Sequence, residues 1–283
     1  MKTARTMIDG YNTIGYQAYN VSSKDFAAGR IFLRELQQAA KFPFISANIL
    51  DSLTRRPIFE PFIIKNVSKK KFGIIGITSK LVKMIPGIEI ASPDSTLEKI
   101  IPELRKKVNY IIVLANLDRV AEKDFFEKSF DIDFILISGS YRYSRNLEDK
   151  NSMLVARCGS IGKYMGIIKF DLKNPDAKLT DISRAETQLS YARKRLDSFA
   201  KATKGKPVEI FYANQSSVLN TIKSLKTQIQ ILTDENARVV NPVSYDLIAL
   251  DKTILDDQKI RAKLNELKQK VNSARNRRQI KSF

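Results

Sequence analysis

The sequence predicts an α/β layered fold followed by a helical region, and three observations predict it. Continuous apolar runs, such as residues 72–78 (FGIIGIT) and 110–114 (YIIVL), have the pattern of strands covered on both faces. Segments with helical spacing alternate with such runs up to about residue 138, the order that builds a sheet with covering helices. After about Asn174 the chain becomes highly charged, and its apolar residues recur by threes and fours.

Met7, Tyr11 and Ile14 share a helical face, and Gly15 ends that helix. A short strand is expected at 18–21, then a helix over 26–40 capped by Ser22 and Ser23. Residues 42–49 (FPFISANI) and 62–67 read as strands. Ser92 and Pro93 start a helix over 94–108, interrupted or kinked at Pro102. A helix at 122–130 precedes a strand at 134–137. Strands at 154–157 and 164–170 flank the turn Gly159-Ser160-Ile161-Gly162.

In the last third, Leu189, Leu196 and Phe199 mark a helix over 184–203, broken by Gly205-Lys206-Pro207. Phe211, Gln215, Val218, Ile222, Leu225, Ile229 and Leu232 then form a heptad seam, so the two helices make an antiparallel hairpin. Ile260, Leu264, Leu267, Val271 and Ala274 mark a final helix, with Asp256 and Asp257 at its positive end. The expected division is a layered domain over 1–174 and a helical hairpin with a C-terminal helix over 175–283. The seam could pair within the chain, with a protein partner or with a second copy.

The composition narrows the chemistry. Of 283 residues, 43% are hydrophobic, enough for a sizeable core. The net charge of +19 favours anionic partners, and it is spread out: residues 1–180 carry ten surplus basic residues and 181–283 carry nine. Cys158 is the one cysteine, which excludes an intramolecular disulfide; its apolar surroundings predict a buried thiol. There is no histidine. A Ser-His-Asp triad, a Cys-His pair and any His-ligated metal centre in this chain are thereby excluded. No apolar run has transmembrane length, and the opening Met1-Lys2-Thr3-Ala4-Arg5 lacks the apolar stretch of a signal peptide. The basic tail with Arg275, Arg277, Arg278 and Lys281 could touch phosphates, but no nucleic-acid motif accompanies it, and nucleic acid is disfavoured as a partner.

Five segments, in order, resemble the 5′-nucleotidase branch of the calcineurin-like metallophosphoesterases. They are Ile14-Gly15-Tyr16-Gln17-Ala18 with Gly29 beyond it, FPFISANI at 42–49, FGIIGIT at 72–78, the apolar strand 111–114, and 155–168. Together they cover about residues 1–172. The resemblance implies a layered sheet sandwich, incomplete at its N-terminus because the family's opening Asp-x-His strand has no counterpart. It also implies a periplasmic or extracellular setting, and the missing strand leaves two alternatives, a short gene product or a fragment of a longer exported protein.

The family holds two divalent metals with Asp, His and Asn, and these metals activate water against a phosphate. Carried over position by position, the family's Gly-Asn-His-Glu falls on Ser22-Ser23-Lys24-Asp25. The ligand asparagine becomes Ser23 and the catalytic histidine becomes Lys24. The histidine of the family's SHLG becomes Asn116, and the two histidines of its GGHSH become Ser140 and Arg142. A unit charge about 4 Å from another costs about 4 kcal/mol at an effective dielectric near 20, and a divalent ion feels about twice that. Lys24 and Arg142 therefore oppose metal binding, and no metal cofactor and no hydrolysis are expected. Two readings follow: a non-catalytic structural or interaction module, or a phosphate or nucleotide site in which Lys24 and Arg142 replace the metals and Ser23, Asn116 and Ser140 donate hydrogen bonds.

Overall fold

A computed structural model describes residues 1–79 and 84–280, with side chains as far as residue 273. The tail cations Arg275, Arg277, Arg278 and Lys281 lie outside the described side chains. The chain opens with α1 (Lys2–Ile14), β1 (Tyr19–Asn20), a short 3-10 helix (Ser23–Ala28) and α2 (Arg30–Ala39). Next come β2 (Phe44–Ile45), β3 (Ile49–Asp51), β4 (Phe62–Val67), β5 (Lys70–Thr78), β6 (Ile88–Ile90), α3 (Pro93–Arg105) and β7 (Tyr110–Asn116). α4 (Arg119–Phe126), β8 (Phe134–Ser138), β9 (Glu148–Lys150), β10 (Met153–Arg157), β11 (Tyr164–Phe170) and β12 (Leu179–Asp181) follow. The remainder is α5 (Ser183–Ala202), α6 (Val208–Phe211), α7 (Ser216–Arg238), β13 (Asn241–Ala249) and α8 (Gln258–Ile280).

The main sheet has the order β4-β5-β7-β8-β10-β9, with its four central strands parallel and its two outer strands antiparallel. Successive side chains of a strand point to opposite faces. Along β7, Ile111, Val113 and Ala115 meet Leu97, Ile101 and Leu104 of α3 and Phe125 of α4. On the other face Tyr110, Phe134, Leu154 and Ala156 meet Leu179, Val243 and Tyr245. These last belong to a second sheet, β11-β13-β12. A third cluster joins α1 and α2 to β2 and β3 through Ile8, Phe32, Leu33, Leu36, Phe44 and Ile49.

The structure differs from the sequence expectations at several places. The helix expected over 26–40 is two pieces, because Gly29 takes φ 87° between the 3-10 helix and α2. The strand expected over 42–49 is broken at Ser46-Ala47-Asn48, where the Asn48 side chain binds other strands. Beyond residue 174, β13 pairs antiparallel with β11 and parallel with β12. The helix expected from Phe211 starts instead at Ser216, after a separate turn at α6. α3, by contrast, continues through Pro102. The hairpin packs along its seam, with Ile222 and Leu225 buried against α5. α8 packs along α1 and leaves Leu264 and Val271 exposed. Cys158 is half-buried rather than buried.

Candidate functional site

In open α/β sheets, ligand sites gather at the carboxyl ends of parallel strands. Here β5, β7 and β8 end in register on Thr78, Asn116 and Ser138. Asn116 Nδ2 donates to Ser138 Oγ at 3.0 Å, and Ser138 Oγ donates to the Ala115 carbonyl at 3.3 Å. Gly139 follows with φ 90°, and a Cβ there would stand 3.1 Å from Asn116 Nδ2. The turn therefore needs glycine, and it brings the next loop over Asn116. In that loop the Arg142 backbone N–H donates to Ser140 Oγ at 3.2 Å.

Strand β1 abuts the same strand ends. Asn20 Nδ2 donates to the Ile77 carbonyl at 2.8 Å, and a Cβ on Gly76 would stand 2.6 Å from Asn20 Oδ1 and 2.8 Å from the Ile45 carbonyl. The fully buried Asn48 accepts from the Thr78 backbone N–H at 3.0 Å and donates to the Thr78 and Ala91 carbonyls. That amide ties the broken FPFISANI segment to the end of β5, which gives its asparagine a structural role. Asn20 Oδ1, Ser46 Oγ and Thr78 Oγ1 are buried there without a hydrogen-bond partner among the described residues.

The predicted residues fall into two groups. Asn116, Ser140 and Arg142 share the ends of β7 and β8 and the loop beyond. Ser23 and Lys24 sit on the 3-10 helix after β1, with no hydrogen bond or ion pair to the first group among the described residues. Asp25 is consumed by its own turn: it accepts from Tyr19 Oη at 2.7 Å and from Ser22 N at 2.7 Å. Burial, then the Asp25 charge, pushes the Tyr19 phenol far up. Lys24 is exposed and makes no ion pair among the described residues. Asp118 caps α4 by accepting from Val120 and Ala121 backbone N–H. These bonds, that from Ala121 foremost, hold its carboxyl below the usual range.

Arg142 is committed to a network that the sequence did not reveal. Arg157 of β10 is 2% exposed, and its Nε and Nη2 donate to Glu122 Oε1 at 3.1 and 2.6 Å. Its Nη1 reaches Glu148 at 2.5 Å. Arg142 Nη1 joins from the cleft side, 3.3 Å from the same Glu122 oxygen. Two guanidinium groups thus face two carboxylates in and beside a cleft of about 810 Å³. No local pattern signals a pairing of residues 35 positions apart; a lone arginine inside the apolar run 153–157 was the available hint.

A two-metal centre does not fit these groups. The strand ends offer neutral Asn116, Ser138 and Ser140, the 3-10 helix offers Ser23, and the nearby carboxylates of Asp25 and Asp118 accept hydrogen bonds within their own turns. Among the described residues no three His, Cys, Asp or Glu side chains gather as metal ligands.

No family model matches the chain. It is 30% identical over 121 residues to the 5′-nucleotidase of Vibrio cholerae, covering 41% of this chain and 22% of that protein. It is 29% identical over 121 residues to a 2′,3′-cyclic-nucleotide 2′-phosphodiesterase/3′-nucleotidase of Salmonella typhimurium, covering 37% of this chain and 19% of that protein. The chain thus spans about a fifth of the length of these relatives. Among solved structures, it matches the calcineurin-like phosphoesterase YfkN of Bacillus subtilis at TM-score 0.55 and 20% identity, over 61% of this chain and 63% of the other. A 5′-nucleotidase precursor of Thermus thermophilus matches at TM-score 0.54 and 18% identity, over 63% and 40%. The layered sheet is therefore a calcineurin-like phosphoesterase fold. Within that class, the sequence matches are to 5′-nucleotidases and related nucleotidases.

Proposed function

We propose that this chain is a non-catalytic member of the 5′-nucleotidase family that serves as a structural or interaction module. One observation carries the reading: the positions that the resemblance assigns to metal ligands hold hydroxyl, amide or cationic side chains. One of them, Arg142, is spent on the Glu122 carboxylate. Metal activation of water needs anionic or imidazole donors at those places. The phosphate-binding reading is favoured by Lys24, which is exposed and makes no ion pair among the described residues. The commitment of Arg142 weighs against it.

The test is metal retention and turnover. The purified chain is dialysed against manganese or zinc, its metal content is measured, and 5′-AMP hydrolysis is followed. Substoichiometric metal and background turnover are expected. One or more metal ions per chain with hydrolysis above background would overturn the proposal. Thermal-shift titration with phosphate and AMP decides the second reading. A shift that disappears in Lys24→Ala supports phosphate binding, and no shift ends it.

A further inference from the structure

We propose that the free end of the α5–α7 hairpin docks on an anionic lipid surface, with Ile210 and Phe211 entering the interface and the surrounding lysines meeting the headgroups. The inference is independent of the emptied metal site. It starts from how the tip is built. α5 ends at Ala202, Lys204 and Gly205 take φ 50° and 90° to reverse the chain, and Pro207 leads into α6. The next residue after α6, Tyr212, is buried; its hydroxyl lies 3.5 Å from the Phe199 carbonyl, and its ring stands edge-on to Phe199 at 5.9 Å. With Tyr212 anchored inward, the two residues before it are turned out. Ile210 is 69% exposed and Phe211 41%. Two adjacent large apolar side chains at a projecting tip mark an interaction surface rather than scattered exposure.

The charge around the tip says what covers it. Between residues 198 and 215 the one acidic side chain is Glu209, and Lys226 neutralises it at 3.6 Å. Lys204 and Lys206 are exposed and make no ion pair among the described residues, and the same holds for Arg193, Lys194 and Arg195 further along α5. An apolar tip inside a basic collar suits an anionic bilayer, where the rings and branched chains leave water and the cations meet headgroup charge. A nucleic acid would reward the lysines and leave Ile210 and Phe211 in water. The hairpin supplies the reach: 20 residues of α5 carry the tip about 30 Å from its base on the second sheet. Among the described residues no helix is long and apolar enough to cross a membrane, so the contact is interfacial.

The full chain is floated with phosphatidylcholine vesicles, with and without phosphatidylglycerol. Binding to the anionic vesicles is expected, falling about tenfold or more in the double variant Ile210→Asp, Phe211→Asp. Ile210 is the more exposed, so Ile210→Asp alone should also weaken binding with the circular dichroism spectrum and Tm unchanged, whereas the double variant also loses the Phe211 contact with Tyr212 at 4.8 Å and should keep the spectrum with a slightly lower Tm. The chain has no tryptophan, so Phe211→Trp places a single indole at the tip. Its emission should move to the blue with anionic vesicles, whereas Leu53→Trp, at a 92% exposed site, should not respond. Any of three results overturns the proposal: no emission shift at position 211, unchanged binding of the double variant, or tighter binding to a DNA duplex than to vesicles at equal salt.

Discussion

The sheet body and the helical hairpin use positive charge in opposite ways. In the body, two arginines are drawn inward onto carboxylates. Arg157 lies 2% exposed between Glu122 and Glu148, and Arg105 is shared by Asp131, Asp133 and the Asn109 carbonyl. In the hairpin, residues 183–238 hold ten basic and five acidic side chains, and the run Arg193-Lys194-Arg195 makes no ion pair among the described residues. A buried charge must be paired because desolvation is costly, whereas an exposed one is screened and nearly free to vary. The net charge of +19 therefore mixes cations already committed to the fold with cations still open to a partner.

The sharpest way to break this contrast is Glu122→Ala. It takes from the buried Arg157 guanidinium the carboxylate that accepts from Nε and Nη2, leaves Glu148 on Nη1 alone, and loosens Arg142. A loss of about 3–5 kcal/mol is expected, seen as a fall in Tm of about 10 °C. Pairing Glu122→Leu with Arg157→Met should recover most of the loss, because two well-packed apolar side chains need no partner. If Glu122→Ala melted with the wild type, the network would be ornamental and Arg142 would be available to a ligand.

This network also marks where the sequence stopped being legible. Strands β5, β7, β8 and β10 were readable because burial on both faces forces continuous apolar runs, such as YIIVL. β13 was missed: Pro242, Ser244 and Asp246 alternate with Val243, Tyr245 and Leu247, and its partner β11 lies about eighty positions earlier. The FPFISANI segment was legible by its resemblance, but the Asn48 clamp on Thr78 was not, since a side chain reaching across 30 positions leaves no local trace. The same holds for the site. The residue types at 23, 24, 116, 140 and 142 could be read from the chain, but the Glu122 carboxylate that claims Arg142 could not.

A smaller effect sharpens the contrast at the strand ends. Asp118 caps α4, and Asp118→Ala should cost about 1 kcal/mol at neutral pH. Its folded-state carboxyl titrates below the unfolded value, so its stabilisation is complete above about pH 4 and is lost as pH falls through the lowered value. The stabilities of wild type and variant should converge as pH falls below the usual carboxylate range. A gap that stays constant on acidification would show that packing, not the charged cap, holds the start of α4.

The smallest expected effect bears most directly on the hairpin. Replacing Arg193, Lys194 and Arg195 by glutamine should change stability by no more than about 0.5 kcal/mol each, because the three are exposed and glutamine keeps helix propensity. Relief of repulsion among neighbouring cations could even raise Tm slightly. Their removal should nonetheless weaken binding to anionic vesicles, since each cation near such a surface contributes on the order of 1 kcal/mol. A stability loss as large as that of Glu122→Ala would mean that these arginines and the lysine also serve the fold. The division between committed and available charge would then fail where it is most exposed to test.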